Sequence, residues 1–162
     1  MNGFEIIPNS LDTVRQIRTL RDNNDDPIIL GLLIDTHLKE EAPLTSDIRE
    51  DKRKVILNIL QETELLAEFE PIERHMTLSS DIGFTKSEDI KGFLNIALKK
   101  IGRENIFEGT IFITEDDEHI SKANSLGITT IHITDKSDQD LADKEINNIS
   151  NLTPILSEII NQ

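Results

Sequence analysis

Carboxylates placed just after short apolar runs are the chain's clearest chemical signal. Glu115, Asp116 and Asp117 follow the run Ile111-Phe112-Ile113, and Asp35 follows the run Ile28 to Ile34 (IILGLLI). Apolar runs of this length between turn signals predict strands buried in a parallel sheet. In such sheets, ligands bind at the carboxyl ends of the strands. A carboxylate at that edge can attack phosphorus and form an aspartyl-phosphate, or hold Mg²⁺ as a hard oxygen ligand. Each residue also has a plainer reading. Acidic residues favour helix N-termini for dipole reasons, and a strand-end Asp can cap its own turn.

The elements that must position these groups can be read along the chain. Gly109 to Thr134 predicts strand, acidic turn, helix and strand, with Gly127 at the helix C′ position and β-branched residues from Thr129 to Ile133. Ile28 to Ile34 predicts a central strand beside Ile111 to Thr114, and Gly31 within it suggests close approach of a neighbour. Before it come the short apolar segment Phe4 to Ile7 and a helix. Ser10 is the expected cap of that helix, and Leu11, Val14, Ile17 and Leu20 its apolar face. Asp22 to Pro27 is a turn cluster. Thr36 to Asp51 predicts a loop, Lys52 to Phe69 a single amphipathic helix, and His75 to Ser79 a strand. Ser87 is placed to cap the helix whose stripe is Ile90, Phe93, Leu94, Ala97, Leu98 and Ile101, closed by Gly102. An edge strand at Glu145–Ile146 and a last helix opened by Thr153-Pro154 complete an α/β pattern.

Composition excludes several classes. With 162 residues, one domain spanning 1–162 is expected, large enough to bury about 70% of its unfolded surface. A net charge of −14 argues against nucleic acid or an anionic membrane as partner. Six Phe and no Tyr or Trp leave little for base stacking. No cysteine means no disulfide, thiol nucleophile or Cys-type zinc site. The chain has no apolar run near 18 residues and no signal-peptide pattern, so a cytoplasmic protein is expected.

From Ser79 onward the succession of motifs resembles the haloacid-dehalogenase (HAD) phosphatases. Ser79-Ser80-Asp81-Ile82-Gly83 and Lys86-Ser87-Glu88-Asp89-Ile90 followed by Phe93 match one family stretch. Ala97 to Gly102 matches its amphipathic helix and Phe112-Ile113-Thr114-Glu115-Asp116 its acidic turn. Ser125 to Ile131 matches the next helix end and strand, and Ala142 to Ile159 the last strand and helix. The resemblance covers about half the chain. It implies a Rossmann-like parallel sheet flanked by helices on both faces, a HAD-like core with no evident cap domain. It also implies Mg²⁺ held by Asp35, Glu115 and Asp116, and a phosphate charge neutralised by Lys86.

The family's first motif is a strand followed by D-x-D-G-T. One register makes Asp35 the nucleophile and puts His37 at the acid/base position. The other aligns Ile34-Asp35-Thr36-His37-Leu38 with hydrophobic-D-G-T-L, which places Leu33 where the nucleophile belongs and leaves the site dead. The second register matches more neighbours. Between Asp35 and Ser79 only one helix is expected, so the phosphate-holding Ser/Thr is missing or replaced by Thr77, Ser79 or Ser80. Glu115 stands where the family has Asp. His119 and His132 are expected to be surface or structural.

Three functions follow. The favoured one is a HAD-like domain with a degenerate phosphatase site that binds a protein partner or a small phosphorylated ligand. The alternative is a Mg²⁺-dependent phosphate-monoester hydrolase working through Asp35. A receiver-like module phosphorylated on Asp35 fits worse, because Asp35, Lys86 and Glu115–Asp116 come in the wrong order.

Overall fold

The computed structural model describes residues 8–34, 46–78, 90–135 and 141–161. The chain forms two compact units. One is built on Leu30–Asn105, and the other on Ile7–Ile29 together with Ile106–Gln162.

In the first unit, strand β1 (Leu32–Ile34) pairs in parallel with β2 (Met76–Leu78), Leu33 lying opposite Thr77. Helix α2 (Ser46–Glu62), a 3-10 turn (Leu66–Phe69) and the short α3 (Ile72–His75) connect them. Helix α4 (Ile90–Lys100) follows β2. Of the six residues expected in its stripe, Ala97 and Ile101 are half-buried, and Ile90, Phe93, Leu94 and Leu98 are buried. They share a core with Ile56, Leu60, Phe69, Met76 and Leu78. Gly102 closes α4 with φ +79, and the Arg103 amide bonds back to Leu98 O at 2.9 Å. The Lys100 ammonium donates to Met76 O at 2.8 Å, tying the end of α4 to the start of β2.

In the second unit, β3 (Ile111–Thr114), β4 (Thr129–Ile133) and β5 (Lys144–Ile146) form a parallel sheet in that order. Helix α5 (Asp117–Ser125) joins β3 to β4. Helices α1 (Ser10–Ile17) and α6 (Leu152–Ile160) pack on each other, and Thr153 Oγ1 donates to Gln16 Oε1 at 3.0 Å. Ile120, Ala123, Ile128 and Ile131 are almost wholly buried.

Both sheets are parallel and joined by helices, so the α/β class holds. Several boundaries differ from expectation. The Ile28 to Ile34 run is strand only from Leu32, and Ile29 is 48% exposed. The run is divided because Ile29 ends one unit and Leu30 begins the other. Among the described residues, β1 pairs with β2 and β3 with β4. A Cβ on Gly31 would meet His75 O at 3.8 Å, an ordinary contact, so no close approach requires that glycine.

The Lys52 to Phe69 helix starts earlier, at Ser46, and is interrupted after Glu62. There Thr63 Oγ1 bonds back to Ile59 O at 2.7 Å and Glu64 turns left-handed at φ 65. Asn9, not Ser10, occupies the cap position of α1. Asn151 holds that position in α6, which continues a 3-10 turn (Ile149–Asn151) capped by the Asn148 side chain, so Thr153 lies inside the helix. Phe4 to Ile7 and Ser87 lie outside the described residues.

Candidate functional site

The acidic turn begins where β3 ends. Phe112 is buried and anchors the strand, so Thr114 and the residues after it emerge at the carboxyl end. The Asp116 amide donates to Thr114 Oγ1 at 3.2 Å, which tightens the turn. Asp116 is then the N-cap of α5, with extended backbone (φ −81, ψ 115), and its Oδ1 accepts from the His119 amide at 2.9 Å. A carboxylate suits this place twice over, as hydrogen-bond acceptor and as a negative charge at the positive end of the helix dipole. Asp117 and Glu118 continue the negative charge through the first turn. Glu115, Asp116 and Asp117 are all exposed.

Two histidines close the turn from below. His119 is buried, with Nδ1 3.9 Å from Asp116 Oδ2. His132 on β4 has 0% exposure, and its Nε2 lies 2.9 Å from Asp117 Oδ1 and 3.2 Å from Glu115 O. Neither is a surface residue. Of the two expectations, the structural one holds. Parallel pairing sets His132 opposite Thr114, which brings it under a turn 15 or more residues earlier in the chain.

A second polar lock lies deeper in the same sheet. The Thr130 amide donates to Asp143 Oδ2 at 2.9 Å, and the Thr130 hydroxyl lies 3.2 Å from the same oxygen. The Asp143 amide in turn donates to Thr130 Oγ1 at 3.1 Å. Thr130 is fully buried, so the Asp143 carboxylate is held by bonds that also fix the approach to β5. No sequence signal marks this pair, since the two residues meet only once β4 and β5 are in register.

Of the residues expected to carry chemistry, Glu115 and Asp116 sit side by side at the carboxyl end of β3. Thr77 is buried in β2 opposite Leu33. Asp35, His37, Lys86, Ser79 and Ser80 lie outside the described residues. Glu115 and Asp116 offer the hard oxygen donors that Mg²⁺ prefers. One Asp116 oxygen is already committed to the helix cap. Among the described residues, no group of three or more His, Asp or Glu side chains is arranged to hold a metal ion.

Two of the eight solved chains similar to this one illustrate the likeness. One is a dehalogenase determined with an intermediate complex, at TM-score 0.65 and 14% identity, covering 93% of this chain and 56% of that one. The other is a HAD phosphatase from Thermococcus onnurineus, at TM-score 0.58 and 19% identity, covering 94% and 58%. The fold is HAD-like. No family model and no curated protein matches the sequence. The chain spans a little over half the length of each HAD-like neighbour. Identities this low carry the fold and leave the chemistry to the site itself. Among the described residues, no helix is long and apolar enough to cross a membrane.

Proposed function

We propose that the chain is a HAD-like domain with a degenerate phosphatase site, working by binding a protein partner or a small phosphorylated ligand. The observation that supports this reading is how the acidic turn is used. Asp116 caps α5 through the His119 amide, Asp117 is paired with buried His132, and Glu stands at 115 where the family has Asp. These carboxylates have roles in the fold, so their presence does not require a metal to explain it. A first-motif register with Leu33 at the nucleophile position points the same way.

One observation favours a second reading, a Mg²⁺-dependent phosphohydrolase with Asp35 as nucleophile, His37 as acid/base and Lys86 beside the phosphate. Leu33 lies inside β1, with Ile34 after it still in the strand, whereas the family's nucleophile follows its strand. Glu115 and Asp116 also remain exposed on the sheet edge. With Mg²⁺ bound there, the metal would neutralise phosphate charge.

The deciding experiment measures Mg²⁺-dependent phosphate release from a panel of aryl and sugar phosphates. The degenerate reading expects no turnover by wild type, and therefore no effect of Asp35→Asn or His37→Ala. Turnover that Asp35→Asn abolishes, and that His37→Ala slows by about 10²–10⁴-fold, would establish the hydrolase instead.

A further inference from the structure

His132 has one ring nitrogen accounted for and one not. Its Nε2 faces Asp117 Oδ1 and Glu115 O, two oxygens that accept, so Nε2 carries the hydrogen and donates. In the neutral ring this leaves Nδ1 as a bare acceptor. Nδ1 is buried and has no hydrogen-bond partner, and the same is true of Glu145 Oε1 on the next strand.

The sheet register brings the two together. His132 and Glu145 are direct partners across the β4–β5 pair, so both side chains leave the same face from strands roughly 4.8 Å apart. With the His132 ring neutral and Glu145 ionised, both unpartnered atoms are acceptors and neither can donate to the other. A buried polar group left unpaired loses its hydration without compensation. A single molecule with two hydrogens to donate satisfies both, and water is the smallest that does. Buried waters characteristically occupy sites lined by otherwise unsatisfied polar groups.

We propose that a buried water donates one hydrogen to His132 Nδ1 and the other to Glu145 Oε1. Asp117, His132, the water and Glu145 then form one hydrogen-bonded chain. It runs from the acidic turn at the end of β3 into the β4–β5 pair. His132 is the positioning residue of that turn, holding the Glu115 carbonyl and the Asp117 carboxylate from one nitrogen while the water fixes its ring from the other. The assignment is independent of whether the domain binds metal or turns over phosphate.

The test is made on the unsubstituted 162-residue chain labelled with ¹⁵N. Long-range ¹H–¹⁵N correlation spectra should show a neutral His132 ring with hydrogen on Nε2 and an unprotonated, hydrogen-bonded Nδ1. A crystal structure at resolution sufficient for buried solvent should place a water within hydrogen-bond distance of both Nδ1 and Glu145 Oε1. A ring protonated at Nδ1, or electron density in which the two side chains touch directly with no solvent between, would overturn the proposal. In Glu145→Leu the water loses one acceptor. Hydrogen exchange at the Asp116 and His119 amides should then rise about fivefold, the factor corresponding to about 1 kcal/mol of lost hydrogen bonding. Unchanged exchange in a folded variant would remove the positioning role.

Discussion

Asp116 does two separable things, and substitution can part them. As N-cap it accepts the His119 amide, and as a charge it is available to a cation at the strand end. Asn caps as well as Asp, so Asp116→Asn should retain stability while Asp116→Ala loses about 1 kcal/mol. Equal thermal unfolding midpoints for the two variants would rule out the capping role. If the turn also binds Mg²⁺, the metal stabilises the folded state by mass action. Wild type should then show a saturable rise in Tm with Mg²⁺ at constant ionic strength, and Asp116→Asn a smaller one. A flat Tm across millimolar Mg²⁺ would count against a metal at Glu115 and Asp116. The acidic turn itself was legible in the sequence, because three adjacent carboxylates after an apolar run carry their own signal. What His132 contributes was not. Its partners precede it by 15 and 17 residues, and only the β3–β4 register brings them together.

Among the elements, the helices with clean apolar stripes were the readable ones. The α4 stripe identified Ile90, Phe93, Leu94 and Leu98 because one face of a 3.6-residue period must be buried wherever the helix docks. Phe93→Ala should cost about 3–5 kcal/mol in denaturant unfolding, since Phe93 is 2% exposed at the centre of that stripe. Glycines were less readable, because only geometry separates a required one from a tolerated one. Gly127 follows α5 at φ +81, where an added Cβ would meet no neighbour but an L side chain would strain the backbone. Gly127→Ala should therefore destabilise by about 1–2 kcal/mol. Gly31 lacks a positive φ, and an added Cβ makes only ordinary contact. Gly31→Ala should leave stability unchanged or raise it by about 0.4–1 kcal/mol through the unfolded state. The opposite ordering of these two variants would contradict the backbone conformations described above. Caps misled for a related reason. Ser10 and Thr153 have cap chemistry, but Asn9 and Asn151 hold the cap positions.

For the whole molecule, a net charge of −14 means that folding concentrates like charges on one surface. Raising NaCl from low concentration to about 0.15 M shortens the screening length to about 8 Å and should raise Tm without saturating at a stoichiometric ratio. That shape separates general screening from a specific Mg²⁺ effect. A Tm that falls with NaCl over this range would show that attractive ion pairs outweigh the repulsion. The α/β class was legible at this scale, since strands and helices alternate. Which strand neighbours which was not. Ile28 to Ile34 and Ile111 to Thr114 are similar apolar runs, and hydrophobicity does not say that one belongs with β2 and the other with β4.

The second unit is assembled from two stretches far apart in the chain, and this bears on the order in which a ribosome can complete it. Helix α1 emerges early, yet its docking surface is α6, and the Thr153–Gln16 bond spans 137 residues. Closing so long a loop carries a length-dependent entropic cost of about 4 kcal/mol, which no contact repays until α6 has been made. The stretch Leu30–Asn105 emerges in one continuous run and holds its own core. Nascent chains arrested before Leu152 should accordingly protect α4 amides from exchange while α1 stays open. Protection of α1 in those chains would mean that it finds another partner during synthesis. Until α6 has been made, Ile17 and the rest of the α1 face lack their native neighbour.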